Sequence, residues 1–158
     1  MKILTVARAS IRWFLLTAGI AAGAGAAADP SVWLTVSEGG PQAPDVVEVA
    51  ADQVTVFNEF RLVRVRFSRA SVRRGYDGQN YRSAEATVQV DCQNRTAGYS
   101  ALRLYDQPRW QGAWRDVTFG LDNLPRMAFA DMQPNPSERI LDAACRLGEV
   151  QSTDPARR

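Results

Sequence analysis

The sequence predicts an α+β fold: an antiparallel sheet of about six strands with one C-terminal helix packed on it and disulfide-linked to it. Three observations lead to this prediction. Apolar and polar residues alternate with period two after residue 28, which is typical of strands with one buried face. One segment near the C terminus has the apolar spacing and end signals of a helix. The two cysteines lie in the longest predicted strand and in that helix.

The alternating segments define the strands in chain order. They cover 31–37, 45–50, 53–58, 61–69, 81–92, 99–106 and 112–119. The predicted buried faces carry Val32, Leu34 and Val36 in the first strand, Val63, Val65 and Phe67 in the fourth, and Ala84, Ala86, Val88, Val90 and Cys92 in the fifth. Residues 73–80 are expected to form a loop. Residues 124–132 are expected to be extended, at an edge or a strand start, because Pro125 cannot donate a ladder hydrogen bond.

The helix is predicted after residue 134. Asn135 is a suitable N-cap, Pro136 fits the first helical position, and Glu138 stands three residues after the cap. The apolar stripe consists of Ile140, Leu141, Ala144 and Cys145. Gly148 is expected to end the helix. The folded domain is therefore predicted at 29–150, followed by a disordered tail at 151–158.

The first 28 residues have the composition of a cleaved signal peptide. Lys2, Arg8 and Arg12 form a basic region without acids, an apolar run follows to about Ala22, and three alanines at 26–28 suit signal peptidase. The apolar run is short for a bilayer crossing, although an uncleaved anchor is the alternative. No Cys lies near the cleavage point, so no lipid anchor is expected there. We predict an exported protein, in the periplasm, on the cell surface or secreted, without a transmembrane helix after signal removal.

The composition disfavours an enzyme. The 158 residues include no His and two Cys, which excludes Ser-His-Asp, Cys-His, His-ligated and four-thiolate sites. A pair of carboxylates remains available for glycoside hydrolysis, but no pattern specifies the two. We predict no catalytic residue, no metal and no cofactor. The formal charge of +2 becomes nearly neutral once the basic N-terminal residues are removed, which does not favour nucleic acid as a partner.

Export also decides how the cysteines are interpreted. In an oxidising compartment an even pair predicts a disulfide between Cys92 and Cys145, and closing so long a loop contributes about 4 kcal/mol. Two free thiols or a redox pair is the alternative, although a catalytic pair usually has C-x-x-C spacing. Cys92 lies on the predicted buried face of the longest strand, and Cys145 lies on the apolar stripe of the helix. The disulfide would therefore join two apolar surfaces that are expected to pack on each other.

Several short motifs between the two cysteines resemble those of the bacterial surface-adhesin protein E family. A strand ends in the first cysteine ("ATVQVDC"), "LYD" is followed by "RWQG", and a Pro-opened helix carries the second cysteine in "ILDAAC". The resemblance covers Tyr81 to Gly148. It implies a sheet with a disulfide-bonded C-terminal helix, and a surface protein that binds extracellular-matrix and serum proteins such as laminin and vitronectin. Members are lipid-anchored through an N-terminal Cys, which this chain lacks.

The arginines give the strongest indication of a binding surface. Six acidic and no basic residues lie between Asp29 and Glu59, whereas Arg61 to Arg74 contains six Arg and no acid. This cluster could dock acidic partners. The resemblance places a basic, partner-binding stretch before the first cysteine, and the residues at matching positions are Arg73, Arg74 and Arg82. The alternative is cross-strand pairing within the sheet, with Glu48, Asp52 and Glu59 as the partners.

The aromatic residues allow a second kind of contact. Trp33, Tyr99 and Tyr105 fall on the less apolar faces of their predicted strands, where they could stack on glycans or peptides or simply cover the sheet. Trp110 is expected to pack on the core. We predict a non-catalytic exported binding protein that recognises host or envelope macromolecules through its Arg-rich surface. The alternative is a periplasmic structural or accessory protein that uses its sheet edges for partner pairing, including a homodimer.

Overall fold

The computed structural model describes residues 31–38 and 45–153, which form one antiparallel sheet and one helix. The elements are β1 (Trp33–Glu38), β2 (Val46–Ala50), β3 (Thr55–Phe57), β4 (Phe60–Arg74), β5 (Asn80–Asp91), β6 (Thr96–Tyr105), β7 (Trp114–Thr118) and α1 (Ser137–Thr153). The sheet order is β1-β2-β4-β5-β6-β7, and β3 pairs with β4. The predicted fold class is confirmed, with seven strands. The predicted signal peptide, residues 1–28, lies outside the described residues, as do residues 154–158 of the predicted tail.

Two short strands share one side of β4. β2 pairs with β4 from Val65 to Ser68, and β3 pairs with the preceding part of β4 from Phe60 to Leu62. Residues 51–54 between them form a short connection. The two alternating runs at 45–50 and 53–58 are therefore separate strands lying end to end along β4.

The core lies between the inner face of the sheet and α1. Val63, Val65 and Phe67 of β4 are buried, with exposed fractions of 4 % or less. Ala84, Ala86, Val88 and Val90 of β5 are buried on the same face, as predicted. Ile140, Leu141 and Ala144 of α1 pack against them. Burying each large aliphatic side chain contributes about 1.5–3 kcal/mol.

The helix is fastened to the sheet as the sequence predicts. Cys92 and Cys145 form a disulfide, with their Cα atoms 5.8 Å apart, a separation typical of such bonds. At the N-terminal end of α1, the Asn135 side chain accepts a hydrogen bond from the Ser137 N–H at 2.9 Å, as a capping residue does. Gly148 does not end the helix, which continues to Thr153. No helix among the described residues has the length and apolarity needed to cross a bilayer.

The prediction for Tyr99 is wrong, and a β-bulge explains why. Val88 of β5 pairs with Tyr99, but the preceding Thr87 pairs with Ala101, so Ser100 has no opposite residue. An extra residue reverses the alternation on either side of it. Tyr99 and Leu102 therefore both face the core, with exposed fractions of 4 % and 3 %.

The first strand also departs from simple alternation. Val32 and Leu34, predicted as buried, are 56 % and 44 % exposed. β1 is an edge strand with an irregularity between Thr35 and Ser37, and of the three predicted apolar residues only Val36 packs against the core. The edge position leaves most of this strand without a covering element.

Residues 124–132 do not form a strand. A single bridge joins Gly98 and Arg126, and the Tyr99 N–H donates to the Pro125 carbonyl at 2.9 Å. A Cβ on Gly98 would lie 2.7 Å from the Leu124 Cβ, so glycine permits this close approach. The segment covers the open side of the core instead, where Met127, Phe129 and Met132 are buried.

The loop predicted at 73–80 is shorter in the structure. Arg73 pairs with Tyr81 and Arg74 with Asn80, which extends the β4–β5 hairpin to a turn at 75–79. Gly78 closes this turn with a φ of 77°, a backbone conformation that favours glycine. Between Ser68 and Arg73 the register shifts, so β4 bulges away from β5 at the point where the two strands leave the core.

Candidate functional site

The arginines of the 61–74 cluster do not form one continuous surface. Arg64 and Arg66 lie on the outer face of β4, opposite the helix-covered core. The Arg66 Nε donates to Glu48 of β2 at 2.6 Å, and Arg64 donates to Glu85 of β5 at 3.3 Å. Both contacts are cross-strand pairs, as in the alternative interpretation, which named Glu48 as a partner but not Glu85. Asp52, also expected to pair with the cluster, instead accepts a hydrogen bond from the Val32 N–H at 3.1 Å.

Tryptophans stack on the same outer face. The Arg66 guanidinium lies between the rings of Trp33 and Trp110, 4.2 Å and 4.0 Å from their centroids. Arg103 lies 4.1 Å from the Trp114 ring and also pairs with Asp116. Such cation–π contacts contribute about 0.5–2 kcal/mol each. The rings therefore cover paired arginines, which for Trp33 agrees with the interpretation that it covers the sheet.

Trp110 lies on the outer face rather than in the core, which corrects the prediction for it. The loop between β6 and β7 folds back over the sheet, with positive φ at Arg109, Trp110 and Gly112. The buried Ser83 hydroxyl donates to the Gln107 carbonyl at 2.6 Å and accepts from the Trp110 N–H at 2.9 Å. These contacts to a buried polar group hold the loop, and with it the indole, over the outer face.

The three arginines predicted to bind partners lie together at the end of the β4–β5 hairpin, here called the hairpin end (residues 69–82). Arg73 pairs with Asp131 at 2.7 Å, and the Arg74 Nε donates to the Gly78 carbonyl at 2.8 Å. Arg82 donates to the backbone carbonyls of Arg69 and Ala70 at 3.3 Å and 3.0 Å. Arg82 thus holds the bulged part of β4, whereas Arg74 is exposed and the Arg73 side chain is 37 % exposed.

A cavity of about 280 Å³ opens beside the hairpin end. Its lining residues are Phe67, Arg69, Arg73, Arg74, Gly75, Tyr76, Tyr81, Tyr99, Leu102, Leu104, Ala128, Phe129 and Asp131. Eight of these thirteen residues are aromatic or aliphatic, and three guanidinium groups and one carboxylate stand among them. Clefts of this composition are the usual form of small-ligand sites, although this one is at the small end of their size range.

Arg69 is the most buried charged group of the cavity. Its side chain is 3 % exposed and pairs with Asp131 and, at 3.8 Å, with Asp45. The Nε atoms of Arg69 and Arg73 are buried without a hydrogen-bond partner. Asp131 therefore receives two guanidinium groups, and neither arginine has all of its donors satisfied.

Burial and these charges shift the pKa values of the carboxyl and phenol groups that line the cavity. Burial raises the pKa of the Asp131 carboxyl, but the hydrogen bond from Arg69 and the charges of Arg69 and Arg73 outweigh it, and the net pKa is lowered. Burial raises the pKa of Tyr76, Tyr81 and Tyr99. At neutral pH the tyrosines are uncharged and the arginines dominate the local charge.

Exposed apolar groups flank the same arginines. Val72 is 53 % exposed and Tyr76 is 57 % exposed. The Tyr76 ring contacts Tyr99 and Phe119 edge to face, so its position is fixed by the aromatic cluster beneath it. The hairpin end therefore presents cations and apolar surface side by side.

The cavity residues outside the predicted set were mostly beyond the reach of sequence reasoning. Arg69 is the exception, because it continues the alternation of Val63, Val65 and Phe67 and so falls on an apolar face, where an unpaired charge would be costly. Tyr81, Phe129 and Asp131 carry no comparable signal, since the chain brings them together only through tertiary packing. Among residues 31–38 and 45–153, no group of three or more potential ligands is arranged to hold a metal ion.

Comparisons with known proteins place this fold in a family. A search of curated proteins and a search of solved structures each found no match. The family model described as surface-adhesin protein E matches residues 33–146. The match begins in β1, well before the segment whose motifs carry the resemblance, and ends in α1 just past Cys145. Since it spans most of the sequence, the chain belongs to the surface-adhesin protein E family.

Proposed function

We propose that this protein is an exported, non-catalytic binding protein that recognises extracellular-matrix or envelope macromolecules through the hairpin end. Membership of an adhesin family supports a surface or exported protein with a binding role. We choose the hairpin end as the binding surface because Arg73 and Arg74 are placed beside the exposed Val72 and Tyr76. Arg73 is paired with Asp131 but 37 % exposed, whereas on the outer face Arg66 is paired with Glu48 and covered by the rings of Trp33 and Trp110.

The expected partner chemistry follows from these side chains. Guanidinium groups form charge-assisted, often bidentate hydrogen bonds with carboxylates and sulfates. Apolar side chains beside them add area that is removed from water on binding. A partner segment that alternates acidic and apolar groups would satisfy both, with Arg73 and Arg74 in contact and Arg82 supporting the bulge from behind.

The test is charge reversal at the proposed site. The Arg73→Glu/Arg74→Glu double variant should bind laminin, vitronectin and sulfated glycans at least about tenfold more weakly than the unaltered protein. The matched control is Arg126→Glu/Arg146→Glu, which makes the same charge change at two exposed positions away from the hairpin end. Binding is measured by surface plasmon resonance at two salt concentrations, and folding is checked by thermal melting.

Salt dependence provides an independent criterion. Contacts made by Arg73 and Arg74 should weaken steeply as ionic strength rises. Equal losses in the two double variants would show a general charge effect and would remove the hairpin end from the proposal. Binding that survives reversal of both arginines would do the same.

The second candidate function is partner pairing through a sheet edge. Val32 and Leu34 are exposed on the edge strand β1, and Trp114 is 55 % exposed on the other edge strand, β7. Open edges with apolar residues favour strand addition. Leu34→Lys should abolish such pairing with little response to salt, whereas it should leave binding at the hairpin end intact.

A further inference from the structure

The cavity beside the hairpin end has an excess of positive charge. Arg69, Arg73 and Arg74 line it, and the carboxylates that neutralise them are Asp131 and, behind Arg69, Asp45. Three cations against two anions leave one positive charge uncompensated. A single negative charge entering the cavity would balance it, whereas a dianion would reverse the excess.

The apolar part of the cavity favours a ring. Phe67 lies edge to face with Phe129 at 5.4 Å and with Tyr81 at 6.3 Å, and Tyr76 contacts Tyr99 at 6.3 Å in the same manner. These separations are those preferred by aromatic pairs, and a further ring can continue the arrangement. The volume of about 280 Å³ suits one ring with a short acidic side chain.

The charged groups of the cavity include a buried and paired arginine. Arg69 is 97 % buried, given its 3 % exposure, and a buried guanidinium is costly unless it is paired. Its Nε and that of Arg73 still have no hydrogen-bond partner. The Nε of Arg69 faces Asp45 at 3.8 Å, so of the two arginines Arg73, whose side chain is 37 % exposed, is the more accessible donor for an anion.

We propose that this cavity binds a small aromatic carboxylate, with its ring among Phe67, Tyr81, Tyr99 and Phe129 and its carboxylate beside Arg73 and Arg74. This inference goes beyond the proposed function, because the cavity can take a small anion whether or not the hairpin end contacts a macromolecule. The cavity is open to solvent, and Tyr76, which is 57 % exposed, is one of its lining residues.

The probe pair is 3-phenylpropionate and its neutral amide, 3-phenylpropanamide, titrated into the purified, disulfide-bonded protein by calorimetry. The acid should bind saturably and at least about tenfold more tightly than the amide, because the amide lacks the charge-assisted contacts. Amide ¹H–¹⁵N shifts should change at Tyr99 and Phe129. No saturable binding, equal binding of acid and amide, or shifts confined to other parts of the chain would each overturn the proposal.

Variants locate the two halves of the site. Arg73→Gln should remove most of the preference for the acid, and Ala128→Phe, at an exposed position of the cavity lining, should block both probes. Arg126→Gln is the control and should change neither. An unchanged acid preference in Arg73→Gln would contradict the placement of the carboxylate. The comparison of acid with amide uses the unaltered protein, so it tests the cavity proposal even where a variant fails to fold.

The same variants separate this inference from the proposed function. Ala128→Phe keeps Arg73 and Arg74, so it should lose phenylpropionate binding while it retains binding to the matrix proteins. If the unaltered protein binds phenylpropionate but no macromolecule, the proposed function fails and the cavity site stands. If it binds the macromolecules but not phenylpropionate, the cavity proposal fails alone.

Discussion

Removal of the Cys92–Cys145 disulfide should lower the free energy of unfolding by about 4 kcal/mol. The bond closes a loop of 53 residues between the end of β5 and α1. Without it the unfolded chain regains about 14 cal/mol/K of entropy by the loop-length relation, which is about 4 kcal/mol at 25 °C. Domains of this size have a net stability of about 5–15 kcal/mol, so the loss is a large share of the total.

The assay is urea unfolding of the oxidised protein and of the Cys92→Ala/Cys145→Ala variant, followed by far-UV circular dichroism and extrapolated linearly to water. Because α1 is also held by the buried Ile140 and Ala144, the folded variant should keep its helical signal. A difference below about 1 kcal/mol would refute the entropic reasoning. A loss of helical signal before urea is added would also refute it, since the bond would then be required in the folded state.

Three further predictions concern packing, pH and processing. Ile140→Ala should cost about 2–5 kcal/mol in the same urea assay, because Ile140 is fully buried and its removal leaves a cavity under α1. The hydrogen bond from Arg115 lowers the pKa of Asp77 to about 2, so the pair stabilises the fold above the ordinary pKa of 3.8 and loses this contribution as pH falls from about 4 to about 2. The stability difference between the protein and Asp77→Asn should therefore shrink over that range, and an unchanged difference would contradict the assignment. N-terminal sequencing of the exported protein should begin at Asp29, and an intact Met1 would contradict signal cleavage.

The fold could be predicted from the sequence where one face of an element is buried along its whole length. Val63, Val65 and Phe67 alternate with polar residues because one face of β4 packs on the core and the other does not, and the capping and apolar spacing of α1 are local signals. The failures occur where a single residue breaks the period. The bulge at Ser100 places the Tyr99 side chain in the core. The residue type at position 100 does not indicate a β-bulge.

The candidate site was less accessible to sequence reasoning. Arg73 and Arg74 were identified through a family resemblance, but their neighbours were not. Asp131 comes from a segment without regular structure nearly sixty positions later, and it meets Arg73 only because 124–132 folds across the open side of the core. Contacts between segments so distant depend on tertiary packing, which leaves no periodic pattern in either segment.

The arginine-rich stretch has two different roles because the register of β4 changes within it. Before Ser68, strict alternation places Arg64 and Arg66 on the outer face, across from Glu85 and Glu48 on the neighbouring strands. After Ser68 the strand bulges away from β5, and the following arginines meet the aromatic cavity instead. There Arg69 and Arg73 pair with Asp131, and Arg69 also with Asp45. Composition alone would assign the same environment to all six arginines, whereas the irregularity in one hairpin separates those of the outer face from those beside the cavity.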